Sequence, residues 1–144
     1  MVYVDGSFIW RYNEPDHSAS GAGAYIAQLG QVVAYERLGL GSYTEPRDAE
    51  LYALTLGLQL LCKTPPPDTV KEVYLISDSE WGLRQLRRTK PEPGHNITVS
   101  WWVHAHQFLS ANPHVHLHVW WAKARSTPFL HAVDTLACMS CCLA

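Results

Sequence analysis

The chain of 144 residues carries 11 Lys and Arg against 13 Asp and Glu, a formal charge of −2, and is 47% apolar and 17% charged. That length suits one compact domain, 1–144, with a sizeable core, and the composition excludes a disordered chain. The near-neutral balance excludes a strongly basic nucleic-acid coat protein but not a nucleic-acid enzyme, because the sum hides where the charges sit.

Val2 to Ile9 reads as a strand, with Val2, Val4 and Phe8 on one face and Tyr3, Asp5 and Ser7 on the other. Gly21 to Leu29 and Gln31 to Leu38 read as a hairpin with Gly30 at the turn. Thr44 is placed to cap a helix with Pro46 in its first turn, and Leu51, Leu54, Leu58 and Leu61 carry the helix to about Cys62. Val70 to Ser77 is a buried strand, and Asp78 or Ser79 caps the helix after it. Val99 to Leu109 reads as a third helix. Val115, Leu117 and Val119 then alternate with His114, His116 and His118 along a strand, and Thr127 caps a last helix that starts on Pro128. The order is β-β-β-α-β-α-α-β-α, with an antiparallel meander first and parallel strands after it.

No apolar run approaches the ~18 residues of a membrane span. Asp5 interrupts an N-terminus that has no basic lead, so no signal peptide is read there. Of the cysteines, Cys62 stands alone and Cys138, Cys141 and Cys142 fall near the end of the chain. That is no disulfide framework and points to a reducing, intracellular setting, cytoplasmic or nuclear. Cys141-Cys142-Leu143-Ala144 has the outline of a prenylation box, but its second position fits poorly.

Four carboxylates stand in apolar company: Asp5 in the first strand, Glu50 beside Ala49 and Leu51, Asp78 at the end of Val73-Tyr74-Leu75-Ile76, and Asp134 among Val133, Leu136 and Ala137. Such a group is costly to bury unless paired or bound to a cation. Four of them, from four separate elements, point to one metal site. Oxygen donors favour Mg²⁺ or Mn²⁺. Two such ions about 4 Å apart clamp the attacking water and the leaving oxygen of a phosphodiester. Four unrelated surface carboxylates would be the plainer account.

The words around these residues resemble those of the ribonuclease H family. Val2-Tyr3-Val4-Asp5-Gly6-Ser7 is similar to its opening strand, and Ala49-Glu50-Leu51-Tyr52-Ala53-Leu54 to its first-helix signature. Ile76-Ser77-Asp78-Ser79-Glu80-Trp81 is similar to its fourth strand, and Val133-Asp134-Thr135-Leu136-Ala137 to its final helix. The order and gaps agree over residues 1 to about 139, leaving 140–144 unassigned. The style is closest to domains of non-LTR retroelement reverse transcriptases and their fungal relatives. The resemblance implies an α/β ribonuclease H-like fold, with a five-stranded mixed sheet of three antiparallel and two parallel strands flanked by helices. It implies cleavage of the RNA strand of an RNA–DNA hybrid, leaving a 3′-hydroxyl and a 5′-phosphate. It puts Asp5, Glu50, Asp78 and Asp134 at the catalytic, metal-ligand positions for two Mg²⁺ or Mn²⁺ ions, with Glu50 orienting the water and Asp5 bridging. The chain would stand alone or be part of a larger reverse transcriptase polyprotein.

Some positions depart from the family. The loop Lys123-Ala124-Arg125-Ser126-Thr127-Pro128-Phe129-Leu130 has no histidine where many members carry a mobile one. Arg125 or Ala124 takes that place, and His131 lies nearby as an auxiliary candidate. Arg cannot shuttle protons near neutrality but binds phosphate. Pro46-Arg47-Asp48 stands where the family often has Asn residues on the minor groove, so Arg47 becomes a phosphate contact instead. Arg84, Arg87, Arg88 and Lys90 cluster after Asp78, and the three arginines are spaced to share a helix face. With Ser79 and Trp81 they are the further substrate-binding candidates; an ordinary solvated face and core packing of Trp81 are the alternatives.

His114, His116 and His118, preceded by His104 and His106, form an alternating pattern that can bind zinc, but the sequence names no third ligand. A polar outer strand face explains the same pattern. Cys138-x-x-Cys141-Cys142 is a thinner zinc hint, without a matching pair. Trp101, Trp102, Trp120 and Trp121 read as core and sheet cover.

An active hybrid nuclease is thus expected. Its rivals are a weak or inactive module of the same fold that binds nucleic acid or a protein, and a DNA-acting transposase or integrase relative.

Overall fold

The computed structural model describes residues 1–9, 19–41, 45–88 and 95–141. Five strands, β1 (Val2–Ile9), β2 (Ala19–Gln28), β3 (Gln31–Gly41), β4 (Glu72–Ser77) and β5 (His116–Trp121), form one sheet in the order β3-β2-β1-β4-β5. β1 pairs antiparallel with β2, and β2 with β3; β1 pairs parallel with β4, and β4 with β5. The expected mixed sheet is therefore present. The helices are α1 (Pro46–Lys63), α2 (Glu80–Leu86), α3 (His95–Ala111) and α4 (Pro128–Cys141). None is long and apolar enough to cross a membrane.

The sheet separates two apolar clusters. On one face Val2, Val4 and Leu75 meet Leu51, Leu54, Leu58 and Leu61 of α1, and Trp101, Ala105 and Phe108 of α3 complete the layer. On the other, Tyr3, Ala27 and Ile76 meet Leu130 and Val133 of α4, with Phe129 stacked on Tyr3 at 5.2 Å between centroids. The alternation in β1 thus sends Val2 and Val4 to α1 and Tyr3 to α4.

Local chemistry sets most boundaries. Leu29 (φ 52°) and Gly30 (φ 78°) make the two-residue turn, and positive φ at both positions matches the right-handed twist of the flanking strands. Ser79 is the cap of α2, its Oγ accepting the Gly82 N–H at 3.0 Å. Thr127 Oγ1 accepts the Leu130 N–H at 3.1 Å at the head of α4.

Other boundaries differ from the sequence expectation. The cap position of α1 is Glu45, which makes no side-chain cap bond, rather than Thr44, which lies outside the described residues. Helix α3 begins at His95, ahead of the expected Val99, because Ile97 and Thr98 are already buried. Helix α2 ends at Leu86, so Arg87 is its C-cap and Arg88 lies beyond it; the three arginines do not share a helix face. Trp101 is buried, but Trp102, Trp120 and Trp121 are each more than half exposed, so they are not core.

Candidate active site

Asp5, Glu50 and Asp78 converge where β1 and β4 run side by side. The parallel register sets Val4 beside Ser77, which places Asp5 next to Asp78 at the carboxyl end of β4. One oxygen from each of Asp5, Glu50 and Asp78 lies within 4.8 Å of the others. Asp5 is buried, and Glu50 and Asp78 are half-buried.

The third carboxylate reaches the site because β1 has no side chain at residue 6. A Cβ on Gly6 would stand 2.4 Å from the Ala49 carbonyl carbon and 2.6 Å from the Glu50 nitrogen. With glycine there, α1 lies directly on the strand, and the Gly6 N–H donates to Glu50 Oε2 at 3.3 Å. An isolated strand glycine often marks such a close backbone approach; the sequence shows the residue, but only the packing shows its task.

Asp78 is fixed through its main chain. Trp121 Nε1 donates to the Asp78 carbonyl at 2.9 Å, and the Ser79 N–H donates to Ser77 Oγ at 3.1 Å. The role of Trp121 was not evident from sequence, because it depends on β5 ending level with β4, where Ser77 pairs with Trp121.

Asp134 arrives from the opposite face on α4. That helix also approaches the sheet by its backbone: a Cβ on Gly21 would lie 2.6 Å from the Ala137 carbonyl oxygen. Asp134 adds negative charge beside Asp5, Glu50 and Asp78. It stands outside the tight group of three, and its Oδ2 accepts from Arg125 Nε at 3.3 Å and lies 3.2 Å from Nη2. Arg125 adopts φ 55°, a left-handed conformation costly for a residue with a Cβ.

The electrostatics are those of crowded acids. Burial first, then the neighbouring Glu50, Asp78 and Asp134, push the Asp5 carboxyl up to about 9. Burial and the charge of Asp78 push Glu50 up to about 8, against the lowering effect of the Gly6 N–H. Asp78 is raised by burial and Asp134. Such a set favours protons or a cation over free charge.

The other predicted residues fall around this centre. Arg47 lies over the Trp81 ring, its Cζ 5.1 Å from the centroid, three residues ahead of Glu50. Trp81 is half-buried against the α1 core, so packing and exposure share its ring. The Ser79 hydroxyl is engaged in capping. Arg84 pairs with Glu80 at 2.5 Å. With the exposed Arg87 it borders a cavity of about 330 Å³ lined by Trp101, Trp102 and Trp121, in place of the expected stripe. Arg88 and His131 are exposed, and Lys90 lies outside the described residues. Cys141 is buried, its Sγ donating to the Ser7 and Ala137 carbonyls at 3.6 Å, and Cys138 Sγ lies 3.1 Å from Ser7 Oγ. The two contacts with Ser7 tie α4 to β1, and Cys142, with the rest of the tail, lies outside the described residues.

No family model and no curated protein matches the chain by sequence. Solved structures do match it by shape. The N-terminal RNase H domain of a Mycobacterium tuberculosis protein, solved as a fusion with maltose binding protein, aligns with TM-score 0.72 and 20% identity, over 99% of this chain and 94% of that one. LC11-RNase H1 in complex with RNA/DNA hybrid aligns with TM-score 0.71 and 19% identity, over 99% of this chain and 98% of that one. The foamy viral protease-reverse transcriptase in complex with RNA/DNA hybrid aligns with TM-score 0.70 and 18% identity, over 99% of this chain and 20% of that one. What these proteins share with the chain is the fold, over nearly its whole length.

Proposed function

We propose that this chain, whose fold is that of ribonuclease H, is a metal-dependent endoribonuclease that cuts the RNA strand of RNA–DNA hybrids. The observation that carries the proposal is the packing of Asp5, Glu50 and Asp78 within 4.8 Å, with Asp134 beside them, at the end of the central parallel strands. Burial and mutual repulsion disfavour ionised forms of these groups near neutrality, so a divalent cation suits them better than water does. The all-oxygen donor set fits Mg²⁺ or Mn²⁺.

Asp5, Glu50, Asp78 and Asp134 would hold two such ions. When bound, these ions supply Lewis-acid stabilisation of the phosphodiester and a more acidic water. The protein's own part is positioning. The Gly6 N–H fixes Glu50, whose carboxylate would help hold one ion and orient the attacking water. Trp121 holds the backbone at Asp78 in place. Arg47, stacked on Trp81, presents a cation on a flat apolar ring, which suits the sugar-phosphate track of one strand. Discrimination for the hybrid would rest on groove shape and the 2′-hydroxyls rather than base edges. Two of the similar structures contain an RNA/DNA hybrid, and one is a reverse transcriptase of which this chain spans a fifth, which supports hybrid as substrate and a polyprotein as a natural context.

A weaker, binding-dominated domain is favoured by one observation, the hold of Arg125 on Asp134. A substrate panel separates the readings. Labelled hybrid, duplex DNA and duplex RNA are incubated with Mg²⁺ or Mn²⁺, using the chain and its Asp78→Asn variant. Hybrid cleavage that disappears in the variant is expected. Hybrid binding without cleavage even at high Mn²⁺ would support the binding domain, and cutting of duplex DNA would support a transposase-like enzyme.

A further inference from the structure

We propose that Glu72, His116 and His118 form a second metal site, for Zn²⁺ or another ion of the same borderline class, at the corner of the sheet that α4 leaves uncovered. The sequence offered His114, His116 and His118 at alternate positions, with His104 and His106 before them. Of the first three, only His116 and His118 lie in β5, and the sequence named no further converging ligand. The fold supplies it: the parallel register of β4 and β5 sets Glu72 directly beside His116. The carboxylate spans both rings, with Oε2 at 2.5 Å from His118 Nε2 and Oε1 at 3.5 Å from His116 Nδ1.

Several features suit this trio to an ion. α4 packs over β1, β2 and β3 and leaves this corner of the sheet in solvent. The side chains of His116, His118 and Glu72 are 75%, 38% and 47% exposed, which leaves room for water to complete the coordination. The His118 ring is stacked on Tyr74 at 4.7 Å and 16°, and Trp120 meets the same Tyr74 edge-on at 4.8 Å, so aromatic packing holds the His118 ring against the carboxylate. Two imidazole nitrogens and a carboxylate are a donor set for Zn²⁺, with open positions left for water. The three donors are not all within 4.8 Å of one another as they stand, so zinc bonds of about 2.0–2.2 Å require the short Glu72–His118 contact to open and the exposed His116 ring to swing toward His118. The neighbouring histidines also hold the Glu72 carboxyl below its ordinary range, the hydrogen bond from His118 first.

This site is chemically and spatially separate from the acidic one. Glu72 begins β4 and Asp78 follows its end, about 20 Å away at ~3.3 Å per residue. An ion here would staple β4 to β5 without touching the hydrolytic centre, and the proposal stands whether or not the chain cleaves hybrid.

The test is a Zn²⁺ titration of the full chain by calorimetry, with Mg²⁺ in excess over the acidic cluster and a non-chelating reductant present. One Zn²⁺ per chain is expected, with a rise in melting temperature. Loss of a ligand costs at least the tenfold typical of outer-shell changes, so His116→Ala, His118→Ala and Glu72→Gln should each weaken binding by about tenfold or more. Co²⁺ at the site should give a spectrum without thiolate charge transfer, which separates it from binding by the cysteines. Glu72 and His116 are exposed and His118 is half-buried against Tyr74, and circular dichroism checks that the variants stay folded. Absence of binding, or binding unchanged in the His116→Ala/His118→Ala double variant, would overturn the proposal.

Discussion

The guanidinium of Arg125 lies on the carboxylate of Asp134, with Nε 3.3 Å and Nη2 3.2 Å from the same oxygen. A fixed cation thus stands where a divalent ion would draw on that carboxylate. The pair is open to solvent on the arginine side, and exposed pairs are worth up to about 1 kcal/mol. We therefore expect Arg125→Gln to lower the Mg²⁺ concentration for half-maximal hybrid cleavage by up to about fivefold. Asp134→Asn should raise it. A metal titration at saturating hybrid reads both; an unchanged requirement in Arg125→Gln would show that the pair does not compete with metal.

Gly6→Ala should damage both stability and activity. Its methyl group would enter the Ala49 backbone at 2.4 Å, and backbone cannot step aside as a flexible side chain can. Overpacking of this kind costs about 1–3 kcal/mol or more. Because the displaced turn carries Glu50, kcat should fall further than the loss of folded protein explains. Urea unfolding, paired with cleavage assays on the folded fraction, separates the two effects.

The acidic cluster sets a pH dependence whose sign is fixed. Asp5 and Glu50 bind protons more tightly folded than unfolded, at about 9 and about 8. Their stabilising contribution is full below the ordinary carboxylate range, near ~4, and is lost as pH rises through 8 to 9. In chelator, the melting temperature should fall between mildly acidic and alkaline pH. Asp5→Asn should flatten that slope and raise the melting temperature at alkaline pH. Mg²⁺ or Mn²⁺ should raise it most at alkaline pH, where protons compete least. A metal-free melting temperature independent of pH would mean that these carboxylates do not repel one another in the folded chain.

Arg47 and Trp81 should act on substrate affinity rather than on chemistry. Removing one phosphate contact with Arg47→Ala should raise the hybrid Kd and reduce the slope of log K against log salt by about 1, evenly across sequences. Trp81→Ala removes a stacking surface and part of the α1 packing, so its effect must be read beside a melting curve. Fluorescence anisotropy in Ca²⁺, at several salt concentrations, gives the slopes.

Legibility from sequence followed the range of the forces involved. Periodicity reports burial, and Leu51, Leu54, Leu58 and Leu61 are all buried along α1 as their spacing requires. The four carboxylates were conspicuous because each is costly in its apolar surroundings. Contacts fixed by strand register were not legible. Glu72 reads as an ordinary polar residue until parallel pairing sets it beside His116, and Trp121 reads as sheet cover until its N–H meets the Asp78 carbonyl. Charge spacing misled where the helix was shorter than the pattern: Arg84, Arg87 and Arg88 have helical intervals, but α2 stops at Leu86. The pairing of Arg125 with Asp134 depends on a left-handed residue in a short loop, and nothing in the local sequence announces it.

The close approach of α4 to Gly21 has a consequence for biosynthesis. When β4 leaves the ribosome, Asp5, Glu50 and Asp78 have been made, but Trp121, which holds the backbone at Asp78, comes later with β5, and Asp134 only with the last helix, docked backbone to backbone on β2. A nascent chain would therefore carry a partial acid cluster with no counter-helix, one able to attract a cation before it can place a phosphodiester. Any hybrid cleavage that depends on Asp134 would begin only once α4 has been made and docked.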